Sequence, residues 1–255
     1  MMTESGTPGR PQPGQACESP LQADSEPESL ISRDALANGS MLRHFIKAAG
    51  QVNLLSETER NARFEAVFAS VPAGEDLWLF AYGSMLWNPT VHFAESRTVT
   101  VRDWHRSFCL RSTAGRGSAQ HPGLMMGIEP GGICQGLAYR VPAATMRAEL
   151  HLLWQREMLT GAYQAHWVKG VCSGNIEISL LAFVIDPGAA HYEAELQEDV
   201  QIQRIRHAQG FLGSNRDYLF KTRSHLRALG IFDEYIERLA RATEQDLSNS
   251  QPLAP

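Results

Sequence analysis

Residues 77–89 read LWLFAYGSMLWNP. Leu77, Trp78, Leu79, Phe80 and Ala81 form an unbroken apolar run of the length of a buried strand. Tyr82-Gly83-Ser84 interrupts it, and Met85-Leu86-Trp87 then turns apolar again. Gly83 supports two readings of that break. It permits a tight turn, and it lets backbone approach a ligand closely, so that successive amides could hold a carboxylate or a developing oxyanion.

Working outward, strand-like runs dominate from 77 to about 185: 77–82, 98–102, 106–110, 124–128, 133–141, 166–172 and 176–185. Asp103-Trp104-His105 separates the second from the third, and Gly- or Pro-bearing turns separate most of the others, as in a small barrel or strongly curved sheet. One helix, about 143–159, interrupts the series just after Pro142. Helical patterning returns at 190–209, 215–229 and 231–246, with Gly210 and Gly230 as stops. Upstream, 34–70 is helical in pattern: Ser56-Glu57-Thr58-Glu59 fits a capping box, and Phe64, Val67 and Phe68 supply an apolar stripe. The expected organisation is a disordered tail over 1–33, a helical extension over 34–74, one α+β domain over 75–246 and a short tail over 247–255.

The chain has 255 residues, a net charge of -5 and 43% apolar content. These are the proportions of an ordinary globular protein and give no reason to expect nucleic acid or an anionic membrane as a partner. No apolar run approaches the roughly 18 residues of a membrane helix, and the N-terminus lacks the pattern of a signal peptide. Cys17, Cys109, Cys134 and Cys172 show neither a CxxC pair nor metal-like spacing, and read as free thiols of a cytoplasmic protein. The nine histidines include no HExxH, so no metal site is expected. Ser84 is not in a GxSxG frame, against an α/β-type serine hydrolase.

The helix at 143–159 carries the main ionisable candidate. Met146, Leu150, Leu153 and Trp154 make a core-facing stripe, and Glu157 is the next position on it, with Gln155 and Arg156 expected to point elsewhere. A carboxylate held against apolar surface has a raised pKa, as an acid or base working near neutral pH requires. The bland alternative is a Glu near a helix end that swings to solvent or pairs with Arg156 or Arg147. Two further segments bear chemistry. Cys109–Ser118 is a strand feeding a loop in which Arg111 or Arg116 could clamp a carboxylate, or simply be solvated. In Gly210–Leu219, Ser214 or Asn215 caps a helix whose first turn holds Tyr218, either as a plain connection or with the Tyr hydroxyl in a pocket.

Taken together, LWLFAYGSMLWNP, WHRSFCLRSTAGRGS, QGLAYRVP, LLWQREMLTGAY and GFLGSNRDYLF, spread over about 77–230, resemble the ChaC family, the glutathione-specific γ-glutamylcyclotransferases, in bacterial form. The resemblance implies a small mixed β-barrel with flanking helices. It also implies a cofactor-free lyase reaction that cyclises the γ-glutamyl group of glutathione to 5-oxoproline and releases Cys-Gly. By position it makes Glu157 the catalytic residue. Tyr82, Gly83, Ser84, Met85 and Leu86 would be the loop that binds the γ-glutamyl group largely through backbone amides. Tyr218, and with it Arg111, would contact substrate. The chain departs from the pattern in its Met85-Leu86 order and in an N-terminal extension of about 70 residues without counterpart in short members. Cyclisation of other γ-glutamyl peptides or amines, or silent binding of a γ-glutamyl ligand, are the rival readings.

Overall fold

A computed structural model describes residues 30–49 and 54–248. The expected tail over 1–33 lies outside the described residues except for its last four, and Cys17 lies outside with it.

The centre is a closed five-stranded barrel in the order β1-β3-β2-β4-β5. Strand β1 (Leu77–Ala81) pairs antiparallel with β3 (Gly123–Val141), and β5 (Ile176–Ile185) closes the barrel against β1 by a parallel contact at Leu79 and Leu181. Strand β2 (Glu95–Ser112) lies between β3 and β4 (Tyr163–Cys172). The mixed barrel agrees with the expected fold class, but four of the expected runs are two long strands. Asp103 adopts a left-handed φ of 64° and the register shifts there, so a bulge absorbs the extra residue while the β2–β3 ladder continues. Likewise β3 passes through Gly131 and Gly132 without ending.

The expected helix after Pro142 is α4 (Ala143–Glu157), two residues shorter than its periodicity suggests. Pro142 has no polar side-chain group to cap it, and Asp76 Oδ1 instead accepts from the Ala143 amide at 2.9 Å. Met146, Leu150, Leu153 and Trp154 are buried against barrel residues that include Phe80 and Phe183 in one continuous core. Among the described residues three helices precede the barrel: α1 (Arg33–Ala37), α2 (Ser40–Ala49) and α3 (Glu57–Ala69). The capping box forms as expected, with Ser56 Oγ accepting from the Glu59 amide and Glu59 Oε2 from the Ser56 amide.

After the barrel come α5 (Glu198–His207), α6 (Asn215–Ala228) and α7 (Glu234–Ser248). Helix α5 starts eight residues later than the expected 190. The intervening chain is a run of turns pinned to β2 at one bridge, between Tyr192 and Leu110: the Arg111 amide donates to His191 O and the Glu193 amide to Cys109 O. Gly210 is not a helix stop but part of a small hairpin (Gln209–Gly210 with Gly213–Ser214) whose backbone bonds the loop at Ala114 and Gly115. Gly230, in contrast, ends α6 with a φ of 72°. Cys109, Cys134 and Cys172 are buried free thiols, and among the described residues no helix is long and apolar enough to cross a membrane.

Candidate active site

Glu157 ends α4 and carries the helix's buried stripe to the wall of a cavity of about 170 Å³. Its side chain is 14% exposed, and burial raises its carboxyl above the ordinary glutamate value, opposed in part by the charge of Arg156. Arg156 does not point elsewhere, as the spacing suggests. Its side chain is 6% exposed, with Nε 2.9 Å from Glu157 Oε1, Nη2 donating to Ser84 Oγ at 2.6 Å, and Nη1 donating to Asn88 O and Thr90 Oγ1. A guanidinium has five donors in a rigid plane, so one buried residue joins the carboxylate to the turn after β1. Nor is Glu157 alone on α4 as a buried carboxylate. Glu149 is buried as well, in a bidentate pair with Arg33 and accepting the His92 amide.

The turn itself is short and rigid. Ser84–Leu86 forms one 3₁₀ turn whose first bond runs from the Leu86 amide to Gly83 O, so the Ser84 and Met85 amides fall outside the turn's own ladder. The side chains of Tyr82, Met85 and Leu86 are buried in the core rather than turned to the cavity. Tyr82 donates its hydroxyl to Phe183 O at 2.5 Å, and only Ser84 of this stretch lines the cavity. Any contact of Tyr82, Met85 or Leu86 with a ligand is therefore through backbone. A Cβ on Gly83 would lie 3.3 Å from Tyr218 Oη, so the glycine faces the phenol across a gap that a methyl group would fill. Arg106, buried beneath the turn, fixes it from behind by donating Nε to Tyr82 O at 2.7 Å while pairing with Asp233.

Tyr218 reaches this point from the first turn of α6. Ser214 is the cap, accepting from the Asp217 amide, whereas Asn215 is fully buried and bonds both backbone groups of Leu124 on β3. That double bond fixes α6 against the barrel and aims Tyr218 inward. Burial pushes the Tyr218 phenol up to about 12, so it stays protonated at neutral pH. Tyr163 and Tyr82 give their protons to the carbonyls of Met126 and Phe183. That leaves Tyr218, which lines the cavity, as the tyrosine of the site whose hydroxyl can donate there.

The two arginines of the 109–118 segment differ. Both line the cavity, but Arg111 is exposed and its Nε lies 3.6 Å from Glu193 Oε1. Arg116 is half-buried, stacked over the Tyr218 ring at 5.6 Å, and donates Nη1 to Ser214 O at 3.3 Å. Its described bonds leave most of the guanidinium for an incoming anion, and burial lowers its pKa, a cost that a bound carboxylate would relieve.

Sequence reasoning named Arg156 only in the bland alternative, as a partner of Glu157, and that pair does form; it missed Arg106 and three cavity residues of the N-terminal segment, Ile31, Met41 and Phe45. The adjacent Arg-Glu pair is a signal for Arg156. Nothing local marks the others, whose partners lie far along the chain. Among the described residues no group of His, Cys, Asp or Glu could hold a metal ion.

The description ChaC-like protein belongs to the family model that matches residues 77–246. The chain is 38% identical over 223 residues to the glutathione-specific γ-glutamylcyclotransferase of Escherichia coli K12, covering 88% of this chain and 96% of that one. A match of that length cannot fit between residue 77 and the end of the chain, so it takes in part of the N-terminal extension. It is 30% identical over 198 residues to the rat glutathione-specific γ-glutamylcyclotransferase 1, covering 72% of this chain and 89% of that one. In fold it is similar to the crystal structure of a yeast γ-glutamyl cyclotransferase specific to glutathione, with a TM-score of 0.63, 18% identity, and coverage of 67% of this chain and 96% of that chain.

Proposed function

The chain belongs to the ChaC-like family, and on that premise we propose that it is a glutathione-specific γ-glutamylcyclotransferase of the cytoplasm. The α-amine of the glutamyl residue attacks its own γ-carbonyl, a C–N bond forms to close the five-membered lactam, and the original amide C–N bond breaks. The products are 5-oxoproline and Cys-Gly. Electrons and atoms balance within the one substrate, so neither water nor an oxidant enters.

The observation that carries this reading is the placement of Glu157. Its carboxyl stands at the cavity wall with a raised pKa, tied through Arg156 to the turn at Ser84. Arg156 holds Oε1, which leaves Oε2 to take the proton of the attacking ammonium and deliver it to the departing amine. The Ser84 amide and the Tyr218 hydroxyl supply donors for the γ-carbonyl oxygen as it gains charge. Arg116 supplies a cation for a substrate carboxylate. The fixed turn and cavity hold the flexible γ-glutamyl chain bent, with amine and carbonyl together, a contribution that can reach about 7–11 kcal/mol in well-oriented systems. The Ser84 hydroxyl accepts from Arg156 and is not the nucleophile in this scheme.

Incubating the purified protein with reduced glutathione tests the reading: 5-oxoproline and Cys-Gly are expected in equal amounts, and absence of 5-oxoproline would refute it. Running γ-glutamyl-alanine alongside separates a glutathione enzyme from a broader cyclotransferase.

A further inference from the structure

The family-model segment begins at residue 77, yet Ile31, Met41 and Phe45 line the cavity that holds Glu157. They come from α2 and from the residues that lead into α1. They form, with Leu36 and with Leu152 of α4, a small apolar cluster of their own. Phe45 meets Phe211 edge to face, with ring centroids 6.2 Å apart, so the N-terminal helices touch the hairpin that carries Leu212 on the cavity's other wall.

These helices are fixed to the site. Arg33 makes a bidentate pair with the buried Glu149 and also donates to Thr90 O, while Asn88 Nδ2 donates to Ile31 O at 2.8 Å. The same two loop residues receive Arg156, at Asn88 O and Thr90 Oγ1. The 88–90 loop is thus gripped on one side by the guanidinium that holds Glu157 and on the other by the chain entering α1. Glu149, a buried carboxylate with no part in the cyclisation, serves as the anchor.

We propose that this N-terminal wall is a specificity element: Met41 and Phe45, with Ile31 and Phe211, receive the part of the substrate beyond the scissile amide, a thiol-bearing aminoacyl-glycine. The inference rests on the functional reading above. The γ-glutamyl end carries an ammonium and a carboxylate and is matched by Glu157, Arg116 and the turn amides. Within the leaving group, the thiol-bearing methylene is the apolar part. A thioether and two aromatic rings are the surface that suits it, because sulfur packs favourably at ring edges.

Steady-state kinetics with reduced glutathione and with γ-glutamyl-alanyl-glycine, which lacks only the thiol, tests this in the wild-type full chain and in Phe45→Ala and Met41→Ala. Circular dichroism checks that each variant is folded. The expected result is a rise in KM for glutathione of about tenfold in Phe45→Ala, exceeding any fall in kcat, since the lost contact is made before and during reaction alike. The preference for glutathione over the thiol-free peptide should shrink, and Phe45→Leu should recover part of both. Unchanged KM and unchanged preference in both folded alanine variants would overturn the wall while leaving the enzyme reading intact. A wild-type protein that yields no 5-oxoproline would overturn the enzyme reading and the wall with it. Should Phe45→Ala fail to fold, Met41→Ala decides on the same readouts.

Discussion

Replacing Glu157 by Gln removes the titrating group while keeping its length and volume. The three hydrogen bonds that Arg156 makes to Ser84, Asn88 and Thr90 do not involve Glu157, so the turn keeps its tether. Positioned acid–base assistance contributes about 10²–10⁴-fold, equivalent to about 3–5 kcal/mol of barrier. The variant should therefore lose at least about a hundredfold in kcat for 5-oxoproline release, with little change in KM. Stability should move the other way. Burial disfavours the charged carboxylate, so the native protein holds the Glu157 proton more tightly than the unfolded chain does. Wild-type stability falls as pH rises from the unfolded-state pKa through the higher folded-state one. Gln has no such proton, so the melting-temperature difference should shift in favour of Glu157→Gln between acidic and neutral pH. The assay is 5-oxoproline release measured across pH beside thermal melts of both proteins. A folded variant that turns over within tenfold of the wild type would refute the assignment of Glu157.

Further expectations concern its surroundings. Arg156→Gln removes the charge that opposes the upward shift of Glu157, so the acid limb of the kcat/KM profile should move to higher pH; an unmoved limb would mean that the limb reports another group. Ser84→Ala should lower turnover by only about tenfold, the scale of one charge-assisted hydrogen bond, whereas loss of a covalent nucleophile would cost about 10⁶-fold. Rapid-mixing kinetics should show no burst. Gly136 lies under the end of β1, where a Cβ would fall 2.3 Å from Ala81 O and 2.9 Å from a Phe80 ring carbon. Gly136→Ala should thus destabilise the barrel by about 1–3 kcal/mol in denaturant melts, and an unchanged midpoint would show that the strand end can give way.

Much of the site was legible one-dimensionally because its pieces are local. A helix stripe is periodic in sequence, so Met146, Leu150, Leu153 and Trp154 by themselves point to Glu157. A tight turn needs its glycine in place, so Gly83 marked the strand end. The capping box at Ser56 is closed within four residues and formed as read. Where the structure departs from the local pattern, the deciding partner is distant. Asp103 looked like a break because a bulge and a turn share residue preferences, and only the partner strand tells whether the ladder resumes. The chain after 190 looked helical, but β2 supplied backbone partners that propensity cannot see.

What the sequence by itself determined is the α+β class, the locally coded elements such as β1, α4 and the capped α3, and the residue types at the strand end, the α4 terminus and the first turn of α6. Only tertiary structure decided which of them meet. Closing the barrel brings Gly83 opposite Tyr218, and Arg156 ties Ser84 to Glu157 across 72 residues of chain. The same closure turns Tyr82, Met85 and Leu86 into core and gives Ser84's hydroxyl to an arginine. Docking of Arg33 on Glu149 sets Met41 and Phe45 at the cavity. The physical reason is that periodicity and capping act within a turn or two of chain, whereas burial, charge pairing and pKa depend on whatever the fold places within a few ångströms.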